Sequence, residues 1–150
     1  MTSGFRVEAM TSVTPERIYN LLADAPAWKN WAPLVSYSEL IRQGTPDPLG
    51  AGAIRRIGGL GFLRVDEEIL EARPPYYQRY TAVRGLPASH YRGEVHLDSV
   101  DSGTRLIWTG SFEPRIPASG WLLATSLRLA IRAIVTHAIA VAERDVRTDG

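Results

Sequence analysis

Between Ser36 and Pro114 apolar and polar residues alternate in short runs, whereas on either side of that region apolar residues recur at helical spacing. The first run, Phe5–Met10, reads as a strand. Thr14-Pro15-Glu16 then opens a helix, with Thr14 as N-cap and Pro15 at the first helical position. Ile18, Leu21, Leu22 and Ala25 continue it, and it stops near Asp24 and Pro26. A second short helix carries Trp28 and Trp31 on one face and is closed by Pro33. The runs Ser36–Arg42, Ala53–Ile57, Leu63–Ala72, Tyr76–Val83, Ser89–Ser99 and Thr104–Glu113 predict six further strands. Turn chemistry separates them at Gly44–Pro48, Gly58-Gly59-Leu60-Gly61, Pro74-Pro75, Gly85-Leu86-Pro87 and Asp101-Ser102-Gly103. Short connections favour antiparallel pairing, because parallel neighbours need long crossovers. Pro114 and Pro117 end the sheet, and Ser119 caps a helix reaching about Arg147.

The predicted order is strand, two short helices, six strands, long helix, an α+β arrangement. A sheet of this kind has to bury one face, and the last helix is the element long enough to cover it. A sheet bent round a single helix is expected to leave a hollow. The segment Trp121–Ala142 also has the length and apolarity of a membrane span. Arg128 and Arg132 argue against that, since each costs roughly 2.5–3.5 kcal/mol near a bilayer centre. Leu123, Leu127, Ala130, Ile134 and Val141 form the stripe expected to face the core.

At 150 residues the chain suffices for one domain spanning 1–150. Seventeen basic and sixteen acidic residues leave a formal charge of +1, so no net field directs it to nucleic acid or an anionic membrane. Only Lys29 among the basic residues is a lysine. With no cysteine there is neither disulfide nor thiolate chemistry. Met1–Met10 lacks a basic segment followed by an apolar run, so a cytoplasmic location is expected. No phosphate loop, nucleophile elbow, HExxH or metal-ligand cluster occurs, so neither cofactor nor metal is expected.

Parity sorts the candidate site residues. Tyr91, Gly93, Val95 and Leu97 are expected to face inward, with His90 and His96 outside among charges; a register slip of one would reverse this. Leu106, Trp108, Gly110 and Phe112 share the inner parity of the next strand, either as core packing or as cavity lining. Glu67 falls on the apolar parity between Val65 and Ile69, with Asp66 and Glu68 on the other side. An inward carboxylate needs a partner, and Arg55 on the neighbouring strand can supply one. The alternative is a bulge or strand end that leaves both in water. His137 lies on the shoulder of the helix stripe, as a packed histidine or as a general acid–base. Trp28 and Trp31 read as a lid over the core.

Several motifs in order carry a family resemblance: Val13-Thr14-Pro15-Glu16-Arg17-Ile18-Tyr19 with Leu22, Asp24 and Trp28–Pro33, Gly50-Ala51-Gly52 before Arg55, Glu67-Glu68-Ile69, Gly103–Trp108 and Phe112-Glu113-Pro114. The chain resembles the START / Bet v 1-like (SRPBCC) superfamily and its bacterial polyketide cyclase/dehydratase-like group. That resemblance implies a helix-grip fold, a curved seven-stranded antiparallel sheet around the long C-terminal helix, with a ligand cavity. By the same analogy Tyr80 and Ala82 point inward. Trp28, Trp31, Arg55, Glu67, Tyr80, Tyr91, Trp108, Phe112, Leu123 and Leu127 become candidate contacts for an apolar ligand. Three functions follow as expectations: binding of a polyketide, lipid or isoprenoid-like molecule; a cyclase or dehydratase in which Glu67 or His137 moves a proton while Arg55 and Tyr80 hold a carbonyl; or a protein-interaction module, signalled by exposed aromatics near Trp28 and Trp121. Oligomeric state is left open.

Overall fold

The computed structural model describes residues 2–59 and 63–149. Among them, β1 (Ser3–Thr11) leads into α1 (Pro15–Ala23) and a 3₁₀ helix (Ala25–Asn30). Six strands follow: β2 (Tyr37–Arg42), β3 (Ile54–Gly59), β4 (Leu63–Arg73), β5 (Tyr77–Arg84), β6 (Ala88–Val100) and β7 (Gly103–Pro114); α2 (Gly120–Asp149) ends the chain. The seven strands form one antiparallel sheet in the order β1-β7-β6-β5-β4-β3-β2. β2 to β7 is a meander of hairpin neighbours, and β1 adds to β7 at the far edge. The chain therefore passes from one sheet edge to the other between β1 and β2, and α1 and the 3₁₀ helix carry it across.

Local hydrogen bonds fix that crossing. The buried Ser38 hydroxyl donates to the Pro26 carbonyl at 2.8 Å and accepts the Lys29 N–H at 3.0 Å, tying the 3₁₀ helix to β2. The Trp28 indole N–H donates to the Leu22 carbonyl at 3.2 Å, satisfying an orphan acceptor at the end of α1. Thr104 donates to the Val13 carbonyl at 2.7 Å and anchors the segment between β1 and α1.

Thr14 and Ser119 occupy N-cap positions by their backbones, since their carbonyls accept from Ile18 and Leu123. Neither hydroxyl caps, however. Thr14 makes no side-chain cap bond, and Ser119 donates instead to the Ile116 carbonyl at 2.6 Å. Gly58 and Gly59, read as a turn, are the last residues of β3. The Leu34 carbonyl passes so close to Gly59 that a Cβ there would overlap it. Leu60 and Gly61 of the same predicted turn lie outside the described residues.

α2 packs on the sheet with a rotated stripe. Ile131, Ile134, Val135, Ala138 and Ala142 are buried, whereas Leu123, Leu127, Ala130 and Val141 are half-buried. The expected hollow is largely closed. Between the sheet and the α1–3₁₀ segment an interior space of about 10 Å³ is found, room for one water at most. The reason is side-chain bulk: Trp28 and Trp108 wall this space, and the buried rings of Tyr80, Tyr91 and Phe112 fill the inner face of the sheet beyond it.

Candidate binding site

The inner parity of β6 and β7 is buried as expected, and β5 contributes Gln78 and Tyr80. Gly93 lies against the Tyr80 ring, where any Cβ would overlap it. The Trp108 indole donates to the Tyr80 hydroxyl at 3.0 Å, and the Tyr80 and Tyr91 hydroxyls are 3.2 Å apart. On the adjoining strands Arg55 Nε donates to Glu67 Oε1 at 2.9 Å, with side-chain exposures of 4% and 15%. The Arg55 guanidinium carbon sits 5.2 Å from the Trp28 ring centroid and 5.1 Å from that of Tyr80. One arginine is thus held between two aromatic faces and one carboxylate. Its Nη1 is buried with no hydrogen-bond partner among the described residues.

A bulge does occur at Asp66/Glu67, where the register against β5 skips Val83. It nevertheless leaves the Arg55–Glu67 pair inside. The next rung points outward: Arg56 grips Asp66 through Nε at 2.8 Å and Nη2 at 3.0 Å. These hydrogen bonds, with the charge of Arg56, hold the Asp66 carboxyl below its usual range.

The interior space is lined by Trp28, Arg55 and Trp108 from the expected set, and also by Tyr19, Leu22, Ala23, Gln78 and Val95. Two outer clefts flank it. One of about 390 Å³ lies between α1, the 3₁₀ helix and the end of α2, and Trp31 forms part of its wall. The Trp31 ring meets the edge of Trp28 at 6.2 Å, so these two indoles separate cleft from interior. Trp31 Nε1 is buried and unpartnered among the described residues. The other cleft, about 980 Å³, is an open groove between β1 and the first turns of α2.

Residues 4–144 match the family model described as polyketide cyclase / dehydrase and lipid transport. The chain belongs to this family. An uncharacterized protein of Mycobacterium tuberculosis and one of Mycobacterium bovis are each 30% identical over 111 residues, 70% of this chain. The match covers 62% of the length of these curated relatives. Among solved structures, the Zhui aromatase/cyclase from Streptomyces sp. R1128 superposes with a TM-score of 0.85 at 17% identity, covering 100% of this chain and 99% of that one. Ara h 8.0201 gives 0.78 at 13% identity, covering 96% and 99%. The architecture is the helix-grip fold of the SRPBCC family, with α2 as its core helix.

Other SRPBCC site candidates are dispersed. Phe112 and Tyr91 stack with ring centroids 6.2 Å apart, away from the interior space. Leu123 and Leu127 are half-buried on α2. His137 is exposed, its Nδ1–H donating to the Ala133 carbonyl at 3.1 Å, and is not brought together with Glu67. His90 and His96 are exposed beside Glu113 and Glu94. Tyr19 and Gln78 were missed. The burial of Pro15, Ile18, Tyr19 and Leu22 is one helical stripe, and Gln78 shares the parity of Tyr80.

Burial is the main reason that the Tyr80 and Tyr91 phenols are pushed well above their usual value; the Glu67 charge adds to it. Both are therefore neutral hydrogen-bond groups, not bases. Their raised values in the fold set a sign. The unfolded chain releases these protons above about pH 10 while the fold retains them, so stability present below pH 10 falls as pH rises further. Urea unfolding across alkaline pH should show this loss, and Tyr80→Phe with Tyr91→Phe should flatten it. An unchanged slope in the double variant would contradict the assignment.

Proposed function

We propose that this domain binds a largely apolar small molecule of the polyketide, lipid or isoprenoid kind in its aromatic interior. A carbonyl or carboxylate oxygen of the ligand would meet Arg55 Nη1. One observation carries this: a buried guanidinium N–H with no partner, set between the faces of Trp28 and Tyr80. Such a donor is costly unless something accepts from it. The surrounding wall is apolar with few polar groups, the usual composition of a ligand site. Room for a ligand comes from displacing the Trp28/Trp31 pair toward the 390 Å³ cleft. The domain acts as one unit over 1–150, in the cytoplasm, without cofactor or metal.

Titration with 1-anilinonaphthalene-8-sulfonate, an aromatic anion, tests the site. Arg55→Met should weaken binding by about 10- to 100-fold, the worth of a hydrogen bond to a charged group. Arg128→Gln, in the outer groove, serves as control. Equal loss in both variants, with no small molecule seen by native mass spectrometry of gently purified protein, would reject the reading.

A second reading, a cyclase or dehydratase, is favoured by two neutral phenols beside an arginine–carboxylate pair. In it Arg55 and Tyr80 polarise a carbonyl and Glu67 moves the proton; His137, exposed on the outer side of α2, stands apart from this group. Turnover of a polyketide-like substrate that survives Glu67→Gln would dismiss it.

A further inference from the structure

Among the described residues one helix, within α2, is long and apolar enough to cross a membrane. A core helix with that composition is normally buried, yet only 17% of its most apolar window is. The excess lies outside. Trp121, Leu122 and Leu129 are 71%, 56% and 57% exposed, and Ile116 in the preceding loop is 59% exposed. At 100° per residue Trp121, Leu122, Arg128, Leu129 and Arg132 fall within an arc of about 120°, alongside the buried stripe on the exposed side of the helix. The charge on this face is one-sided. No Asp or Glu occurs from Pro114 to Ala142. Arg115, Arg128 and Arg132 are exposed, and none is paired with a carboxylate among the described residues. The net charge of +1 conceals this segregation.

We propose that the loop before α2 and the outer face of its first turns dock onto an anionic lipid bilayer. Trp121, Leu122 and Leu129 enter the headgroup boundary, where an indole is at home and leucines leave water. Arg115, Arg128 and Arg132 meet lipid phosphates. The 980 Å³ groove opens beside Trp121 and Arg128 and extends the apolar surface through Phe5, Pro114 and Ala124. A second copy is the weaker occupant: laying this face on itself brings unpaired arginines together with no carboxylate between positions 114 and 142. Of the two tryptophans that mark an interaction surface in the sequence, Trp28 is buried and Trp121 is not. The inference stands apart from the interior site, because no residue of this face lines that space.

Vesicle flotation tests it, with phosphatidylcholine alone and with about one-third phosphatidylglycerol added to supply negative charge. The full chain should float with the anionic vesicles at low salt, sink at high salt, and show a blue shift of tryptophan emission. Each arginine near an anionic surface is worth roughly fivefold in partition, so Arg128→Gln with Arg132→Gln should reduce binding about 25-fold. Trp121→Ser should reduce binding and abolish the blue shift while leaving the melting temperature unchanged. Arg55→Met with Glu67→Leu, which removes the interior pair together, should float as wild type. The proposal is overturned by no flotation with anionic vesicles, by equal flotation of wild type and the double arginine variant, or by a solution dimer that Leu129→Ser dissociates.

Discussion

Trp108→Ala should destabilise the fold by about 3–5 kcal/mol, the range for removing a large aromatic from a core, read as a fall in the urea midpoint at constant m-value. Trp108 is 2% exposed. Its ring lies 6.4 Å from Trp28 and meets Tyr80 edge-on at 6.3 Å and 88°. In the ladder it stands opposite Val7 on one side and Val95 on the other. Truncation removes all of that packing and the donor to the Tyr80 hydroxyl, which keeps only Tyr91. The 10 Å³ space widens into a cavity that keeps Arg55 and Gln78 on its wall, so water can enter it. A loss under about 1 kcal/mol would mean that the interior is not close-packed around this indole.

The parity that places Trp108 is readable from the chain because β6 and β7 are long, joined by the Asp101-Ser102-Gly103 turn, and buried on one face only. Tight register then leaves each residue one direction to point. The same logic placed Glu67 inward with Arg55 as its neighbour, and the two are opposed in the ladder. Irregularity is where pattern reading fails. β5 skips Val83 and β4 skips Leu70 in their shared register, and no composition marks those positions. Asp66 is 5% exposed on the outer side, because Arg56 covers it with two hydrogen bonds. The phase of α2 was missed for a different reason. Leucines and alanines occur on both its faces, so the apolar positions do not single out the inward one. The size of the interior is not a matter of pattern at all. Alternation shows that Tyr80, Tyr91, Trp108 and Phe112 point in; whether they line a space or fill it depends on how their rings pack against each other.

Glu67→Ala should cost about 3–5 kcal/mol, because it leaves the guanidinium of Arg55 buried without its counter-charge. Its Nε then joins Nη1 as an unpaired donor, and only the two ring faces remain to balance it. Asp66→Ala on the adjacent rung should cost less, since Arg56 is 26% exposed and regains water when released. The informative variant replaces both members. Arg55→Met with Glu67→Leu removes the charges together, and an apolar pair of similar size at a buried site is commonly neutral or stabilising. The double variant should therefore recover most of the stability lost by Glu67→Ala. It should also lose the binding of an anionic aromatic probe assigned to Arg55. Recovered stability with lost binding means that the buried pair is kept for what it holds. A double variant as unstable as Glu67→Ala would instead make the pair a structural element of the β3–β4 hairpin.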